Sequence, residues 1–319
     1  MIVVNSNIIS KAQATLLGQV AGDSLGSLVE FKSPAEIRQM YPEGVRELAD
    51  GGTFNTLAGQ PTDDSEMALL LARSLADKGT FIGGEVLRQY RFWLESKPFD
   101  CGLTTSGALR GEMNPDSQAN GALMRVSPIG VFGVNFSLEQ VAQWAEADAA
   151  LTHPNKICQQ VNALYAMAIT TAIREDDSPQ DLYQMMLGWA TDRKVDSSVL
   201  AVMEKAASQP PQDFMKQMGW VLIAFQNALY QMLHAESLEA GVIDTVMRGG
   251  DTDTNAAIAG ALLGAIYGRE AVPEQWQKAV LNCQPLFGRE GVHYPRPRCF
   301  WPVDVLELAG KLVARKDDT

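Results

Sequence analysis

The sequence predicts an all-α protein, and three observations carry that prediction. Apolar residues recur at helical spacing along most of the 319 residues. Strict apolar–polar alternation, the signature of a half-buried strand, is absent apart from weak traces at Val3, Val4 and residues 131–134. The composition, 46% hydrophobic and 20% charged, suits one compact domain with a sizeable core and shows no linker or low-complexity segment.

The elements follow in order. Residues 8–29 are apolar with interspersed glycines and small residues, which suits a buried helix packed closely on its neighbours. Residues 67–76 continue as a helix from an acidic string, and 86–94 are amphipathic. A helix over 138–150 follows Ser137, a good N-cap with Gln140 as its partner three residues on. Helices are expected over 157–173, 182–190, 199–207, a long stretch 214–233, and 238–247. Residues 256–267, rich in Ala and Gly, continue from a second acidic string, and 303–314 close the chain. Residues 33–61, 97–128 and 288–302 are irregular, and irregular segments carry function. Tyr41-Pro42-Glu43-Gly44 and Asp50-Gly51-Gly52 have turn chemistry. Tyr294-Pro295-Arg296-Pro297-Arg298 cannot be regular helix, because proline lacks the N–H and crowds the preceding turn.

The formal net charge of −12 argues against non-specific binding to nucleic acid or anionic membrane. It leaves room for a nucleotide-like ligand held by backbone N–H groups, arginine and metal. The four cysteines, Cys101, Cys158, Cys283 and Cys299, are widely spaced without a CxxC pair, so neither a zinc site nor a disulfide framework is expected. The opening MIVVNSNIISKAQ lacks the pattern of a signal peptide, and no apolar run reaches the roughly 18 residues of a membrane helix. A cytoplasmic protein with reduced thiols is the expectation.

Two acidic strings dominate the chemistry: Thr62-Asp63-Asp64-Ser65 and Asp251-Thr252-Asp253-Thr254. Each mixes carboxylates with hydroxyls at the start of an apolar helix. Oxygen-only ligands suit a hard divalent cation such as Mg²⁺ or Mn²⁺. Alone, the first string is accounted for by helix capping. In the second, Gly249 and Gly250 permit a turn, and Asp251 and Asp253 alternate with threonines so that two carboxylates and a hydroxyl converge. Four carboxylates in matching strings exceed what capping needs. If the two helix starts meet, a pair of metal ions would compensate their charge. Asn120-Gly121-Ala122-Leu123-Met124-Arg125 reads as a turn whose backbone N–H groups cradle phosphate, or as a plain buried turn. His153, in Leu151-Thr152-His153-Pro154, sits in a turn between helices, whereas His234 and His293 lack such a context.

Together these residues resemble the ADP-ribosylglycohydrolase family, which includes the dinitrogenase-reductase-activating glycohydrolases, over nearly the whole chain. The resemblance starts at Gly18-Gln19-Val20-Ala21-Gly22-Asp23-Ser24-Leu25-Gly26, with Glu30 and Phe31 following. It continues through Thr62-Asp63-Asp64-Ser65, Asn120 to Arg125 with Pro128, and Thr152-His153-Pro154. It ends with Gly250-Asp251-Thr252-Asp253-Thr254-Asn255 and with Pro273 and Trp276. The chain departs from the pattern in Asp100-Cys101-Gly102-Leu103-Thr104-Thr105, where Leu103 replaces an asparagine.

The resemblance implies a single-domain orthogonal helical bundle, here residues 13–319 after a short extension 1–12, with two divalent ions in a cleft. It implies Thr62, Asp63, Asp64, Asp251, Asp253 and Thr254 as metal ligands, and Asp100 and Glu30 as catalytic carboxyls. It implies Gly121, Ala122, Leu123 and Met124 as the phosphate loop and His153 as a substrate contact. The implied reaction is hydrolysis of ADP-ribose from a modified protein side chain, arginine foremost. Two readings stand beside it. One is an immunity or binding protein that blocks an ADP-ribosylating toxin, for which the amphipathic start, residues 2–9, is either a partner contact or a frayed terminus. The other is an inactive structural member, which the retained acidic positions argue against.

Overall fold

The computed structural model describes residues 5–314. The helices in chain order are α1 (Ser6–Gly26), α2 (Pro34–Met40), α3 (Asp63–Lys78), α4 (Gly83–Glu95), α5 (Leu103–Leu109), α6 (Ser127–Phe132), α7 (Leu138–Ala150) and α8 (Lys156–Arg174). They continue with α9 (Pro179–Asp192), α10 (Ser197–Ala206), α11 (Val221–His234), α12 (Leu238–Met247), α13 (Thr252–Tyr267), α14 (Glu274–Asn282) and α15 (Val305–Val313). Among the described residues there is no strand; Gly51–Thr56 and Ala119–Trp220 form isolated bridges. No helix among them is long and apolar enough to cross a membrane.

Helices α1, α8 and α13 are buried around most of their circumference, as their lack of a polar face requires. The centre of the fold is the crossing of α1 with α13. Gly18, Gly22 and Gly26 recur every four residues on α1 and meet Gly260, Ala256 and Asp253 of α13. A Cβ on Gly22 would stand 2.2 Å from the Ala256 carbonyl oxygen, and one on Gly26 2.4 Å from Asp253 Cα. Helices approach this closely only where side chains are missing from the contact. Helices α11 and α12 cover α13, α15 and α3 flank α1, and α7 lies along α8.

Local chemistry sets the ends. Ser33 and Glu36 form a reciprocal capping box at α2. Ser137 caps α7 by accepting the Gln140 N–H at 3.3 Å, while the Gln140 side chain turns to Gln143 instead of closing a box. Helix α3 ends at Gly79 in the left-handed region, φ 68°.

The structure revises several sequence expectations. The long helix expected over 214–233 begins only at Val221. Asp213 accepts the N–H groups of Met215 and Lys216 at 2.8 and 2.9 Å, and Gln217 turns left-handed at φ 57°, so this segment is a turn. Residues 131–134 are no strand: they complete α6 and a 3₁₀ turn, Gly133–Asn135. The irregular stretches 33–61 and 97–128 contain α2, α5 and a 3₁₀ turn over Asn120–Arg125. Helix α14 had no counterpart among the expected elements. Val3 and Val4 lie outside the described residues, and α1 begins at Ser6, inside the stretch read as an extension.

Candidate active site

Capping does not account for the first acidic string. Thr62 occupies the N-cap position of α3 but its side chain does not cap. Its hydroxyl lies 2.8 Å from Asp23 Oδ1 and 2.9 Å from Asp64 Oδ2. The cap comes from α1 instead: the Asp23 carboxylate accepts the N–H groups of Thr62 and of Ser65, the latter at 3.1 Å. Asp251, at the N-cap of α13, likewise makes no side-chain cap and accepts the Asn120 amide at 2.7 Å. The Thr252 hydroxyl donates to the Gly26 carbonyl at 2.7 Å, which ties the start of α13 to the end of α1. Gly250, left-handed at φ 79°, accepts from the Phe31 N–H at 2.8 Å and donates to the Lys32 carbonyl at 3.1 Å. That turn carries Glu30 to the second acidic string.

The result is two overlapping groups of carboxylates. Asp23, Asp64 and Asp253 each offer an oxygen, all within 4.8 Å of one another, and so do Glu30, Asp251 and Asp253. Asp253 belongs to both. Asp64 Oδ1, Asp253 Oδ2 and Glu30 Oε2 are buried without a hydrogen-bond partner. Burial, with Asp100, Asp251 and Asp64 adding repulsion, pushes Glu30 up to about 10. Burial pushes Asp23 up to about 7 despite its hydroxyl and N–H donors. Asp64 and Asp253 are raised well above the usual carboxylate range, first by burial and then by their acidic neighbours. Crowded, dry carboxyls with free lone pairs either stay protonated or need a counter-charge in order to ionise. Oxygen-only donors of this kind fit hard divalent cations.

A cavity of about 470 Å³ opens above these groups. It is lined by Glu30, Phe31, Asp63, Asp100 to Thr105, Ala119, Asn120, Gly121, Met124, His153, Met218, Gly219, Asp251 and Thr254. Asp63 stands in neither carboxylate group; it accepts the Gly102 N–H at 3.3 Å, beside Asp100. Burial raises both Asp63 and Asp100. His153 Nδ1 pairs with the Thr152 hydroxyl at 2.8 Å, and its Nε2 has no partner. Burial, with Arg125 nearby, pushes this imidazole down to about 3, so it is neutral at physiological pH. A Cβ on Gly121 would stand 3.0 Å from His153 Cε1, so glycine keeps the turn open there. A second hollow, about 850 Å³, shares Ala119, Met218 and Gly219 with the first and ends at Trp220.

The structure thus lines one cavity with Glu30, Asp63, Asp100, Asp251 and Thr254; Asp253 groups with Glu30 and Asp251, Asp64 with Asp253, and the Thr62 hydroxyl with Asp64. Of the 3₁₀ turn, Asn120, Gly121 and Met124 line the cavity, while Ala122 and Leu123 are buried and do not. Arg125 is buried under the turn, paired with Asp148 at 3.0 Å and 3.4 Å from the Gly121 carbonyl. Asp23 was missed as a functional candidate. Its signal was available: a carboxylate inside an apolar helix, with no basic residue three or four positions away, needs a tertiary partner. Asn120 as a partner of Asp251, and Met218 as a wall of the cavity, had no sequence signal.

The chain is similar to known proteins over most of its length. The family model described as ADP-ribosylglycohydrolase matches residues 5–316. The ADP-ribosyl-[dinitrogen reductase] glycohydrolase of Rhodospirillum rubrum is 29% identical, over 83% of this chain and 88% of its own. The ADP-ribosylarginine hydrolase Tri1 of Pseudomonas putida is 26% identical, over 85% and 74%. The human ADP-ribosylhydrolase ARH3 is 27% identical, over 85% and 89%. A solved structure, an ADP-ribosylglycohydrolase-related protein complex, superposes with a TM-score of 0.79 at 24% identity, over 97% of this chain and 99% of that one.

Proposed function

The chain belongs to the ADP-ribosylglycohydrolase family, and from that premise we propose that it is a metal-dependent hydrolase releasing ADP-ribose from modified protein side chains. We take ADP-ribosyl-arginine as the acceptor linkage, the one named for Tri1. One observation carries the reading: two groups of buried, under-partnered carboxylates that share Asp253, with Glu30 and Asp251 of one group lining a cavity.

Thr62, Asp63, Asp64, Asp251, Asp253 and Thr254 would hold a pair of Mg²⁺ or Mn²⁺ ions, with Asp23 and Glu30 completing the two carboxylate groups. When bound, the ions supply charge compensation and Lewis-acid polarisation. The chain's own residues do the rest. The turn from Gly121 to Met124 takes the diphosphate on its backbone N–H groups, beside the neutral His153. As the C–N bond to the guanidine breaks, positive charge grows on the ribose, and the acidic floor stabilises it. The departing guanidine needs a proton, and burial favours the protonated form of Asp100, which lines the cavity and stands in neither carboxylate group. Glu30 stands inside one of those groups, so Asp100 is the better placed acid. Water forms the new C–O bond at the ribose carbon and gives up one proton to the Asp100 carboxylate, which regains the proton it gave to the guanidine. Free cysteines at all four positions suit a reducing, cytoplasmic setting.

The test is release of ADP-ribose from an arginine-modified protein with Mg²⁺ or Mn²⁺ and with chelator. Release should require metal, and Asp253→Asn should lose about 10³-fold or more in rate while melting close to the wild type. Full release by Asp253→Asn, or release untouched by chelator, would sink the metal role. Activity on a serine linkage alone would move the acceptor and keep the reaction.

A further inference from the structure

We propose that Arg296 is a positioning residue that holds the Asp100 loop against the start of α3. The proposal rests on reading this cavity as the active site. Arg296 comes from the Pro-rich string near the C-terminus, which contributes no residue to the cavity lining. Its guanidinium grips Glu66 with two bonds of 2.8 Å and, on its other edge, the Ser96 carbonyl at 3.1 Å and hydroxyl at 2.9 Å. The Arg296 and Glu66 side chains are only 3% and 2% exposed. Trp93 Nε1 adds a donor to Glu66 at 2.7 Å, and Trp301 Nε1 fixes the Arg296 carbonyl at 2.7 Å.

Glu66 lies in the first turn of α3, two residues after Asp64. Ser96 ends α4, and four residues later the chain reaches Asp100. Between them Lys97 is left-handed at φ 57°, a conformation that does not hold itself. Phe99 stacks on Tyr294 with centroids 4.8 Å apart, and the Tyr294 carbonyl accepts from Gln60 at 2.9 Å. At its far end the loop is tied by the Gly102 N–H to Asp63. Residues 294–296 therefore strap the Asp100 loop to the helix start that carries the acidic string. A buried ion pair adds little stability over an apolar pair of the same volume. It does fix geometry, because the planar guanidinium presents donors in a rigid fork that lysine lacks.

Arg296→Lys keeps the charge beside Glu66 but not the fork, and is the primary variant. Its kcat for ADP-ribose release should fall about 10²-fold, as for an ångström-scale misplacement, with KM little changed. A second readout needs neither metal nor activity. Cys101 follows Asp100 in the strapped loop, so its alkylation by iodoacetamide in the metal-free protein should speed up about tenfold. Cys158 and Cys283, buried elsewhere, should stay as protected as in the wild type. Ser96→Ala, which removes one arm and strands no charge, should shift both readouts the same way by less. Unchanged kcat, an unchanged Cys101 rate, or equal acceleration at Cys158 and Cys283 overturns the proposal. If the wild type hydrolyses no ADP-ribosyl linkage, the functional reading fails, and the labelling still decides whether Arg296 holds the loop.

Discussion

The two walls of the cavity are built differently. One wall is the start of α3 and of α13, where Asp63, Asp251 and Thr254 line the cavity and Asp64 and Asp253 stand behind them with Asp23 of α1, whose helix meets α13 backbone to backbone. The other is made of segments with little regular structure: the Asp100 loop, the turn from Asn120 to Arg125, and residues 214–220. The helical wall sets distances between charges that repel, a task for a rigid scaffold. The loop wall meets the substrate, and loops on a rigid base adapt to different ligands. Damage to the backbone packing behind the first should cost the fold together with the site, and damage to the second should cost the site alone.

The largest effect should come from the seam. Gly26→Val places a Cβ 2.4 Å from Asp253 Cα and from the Thr252 carbonyl oxygen, where no flexible atom can yield. The expected cost is about 3 kcal/mol or more, since overpacking against backbone cannot be relieved by a rotamer change. Denaturant melts of the purified variant, or its failure to accumulate in soluble form, would register it. A variant as stable and active as the wild type would show that the seam does not space the carboxylates.

The same contrast governs what could be read in the sequence. The long helices were legible because ten or more residues give a hydrophobic period room to repeat, and α1, α8 and α13 were anticipated close to their observed bounds. The acidic strings were legible because carboxylates and hydroxyls cluster at helix starts. Helices α2 and α5, at seven residues each, are too short to show a period. The segment 214–220 is apolar enough to pass for helix, and only the Asp213 turn and the left-handed Gln217 deny it. Asp23 sat inside a recognised motif, yet its role depends on α3 arriving beside it, which no local pattern encodes. The partnership of Arg296 with Glu66 spans 230 residues and was invisible for the same reason.

Asn120 is where the walls touch, and it sharpens the comparison. Its amide donates to Asp251 at 2.7 Å, joining the turn on one side to the acidic floor on the other. Removing one hydrogen bond to a charged group costs on the order of 2 kcal/mol. Asn120→Ala should therefore lose about tenfold or more in kcat/KM, while its melting temperature moves by only a few degrees. If stability fell as far as in Gly26→Val, the turn would belong to the scaffold, and the division between the walls would fail.

The smallest effect lies behind the helical wall, where Arg73 of α3 reaches Asp304, the residue before α15, with two bonds of 2.7 and 2.8 Å. Those bonds, ahead of the opposing effect of burial, hold the Asp304 carboxyl below its usual range. A carboxyl lowered in the folded state binds its proton more readily when unfolded, so its contribution is full above the unfolded value near 4 and is lost as pH falls through the folded one. The pair is partly exposed, with Asp304 at 40%, so solvent screening keeps the contribution under about 1 kcal/mol. The stability difference between wild type and Asp304→Asn, from urea melts, should be constant from pH 7 to about pH 5 and shrink towards pH 3. High salt should reduce it throughout, as expected for a half-exposed pair. A difference that grew on acidification would reverse the sign and place the Arg73 pairing outside the forces that seat α15 on the scaffold.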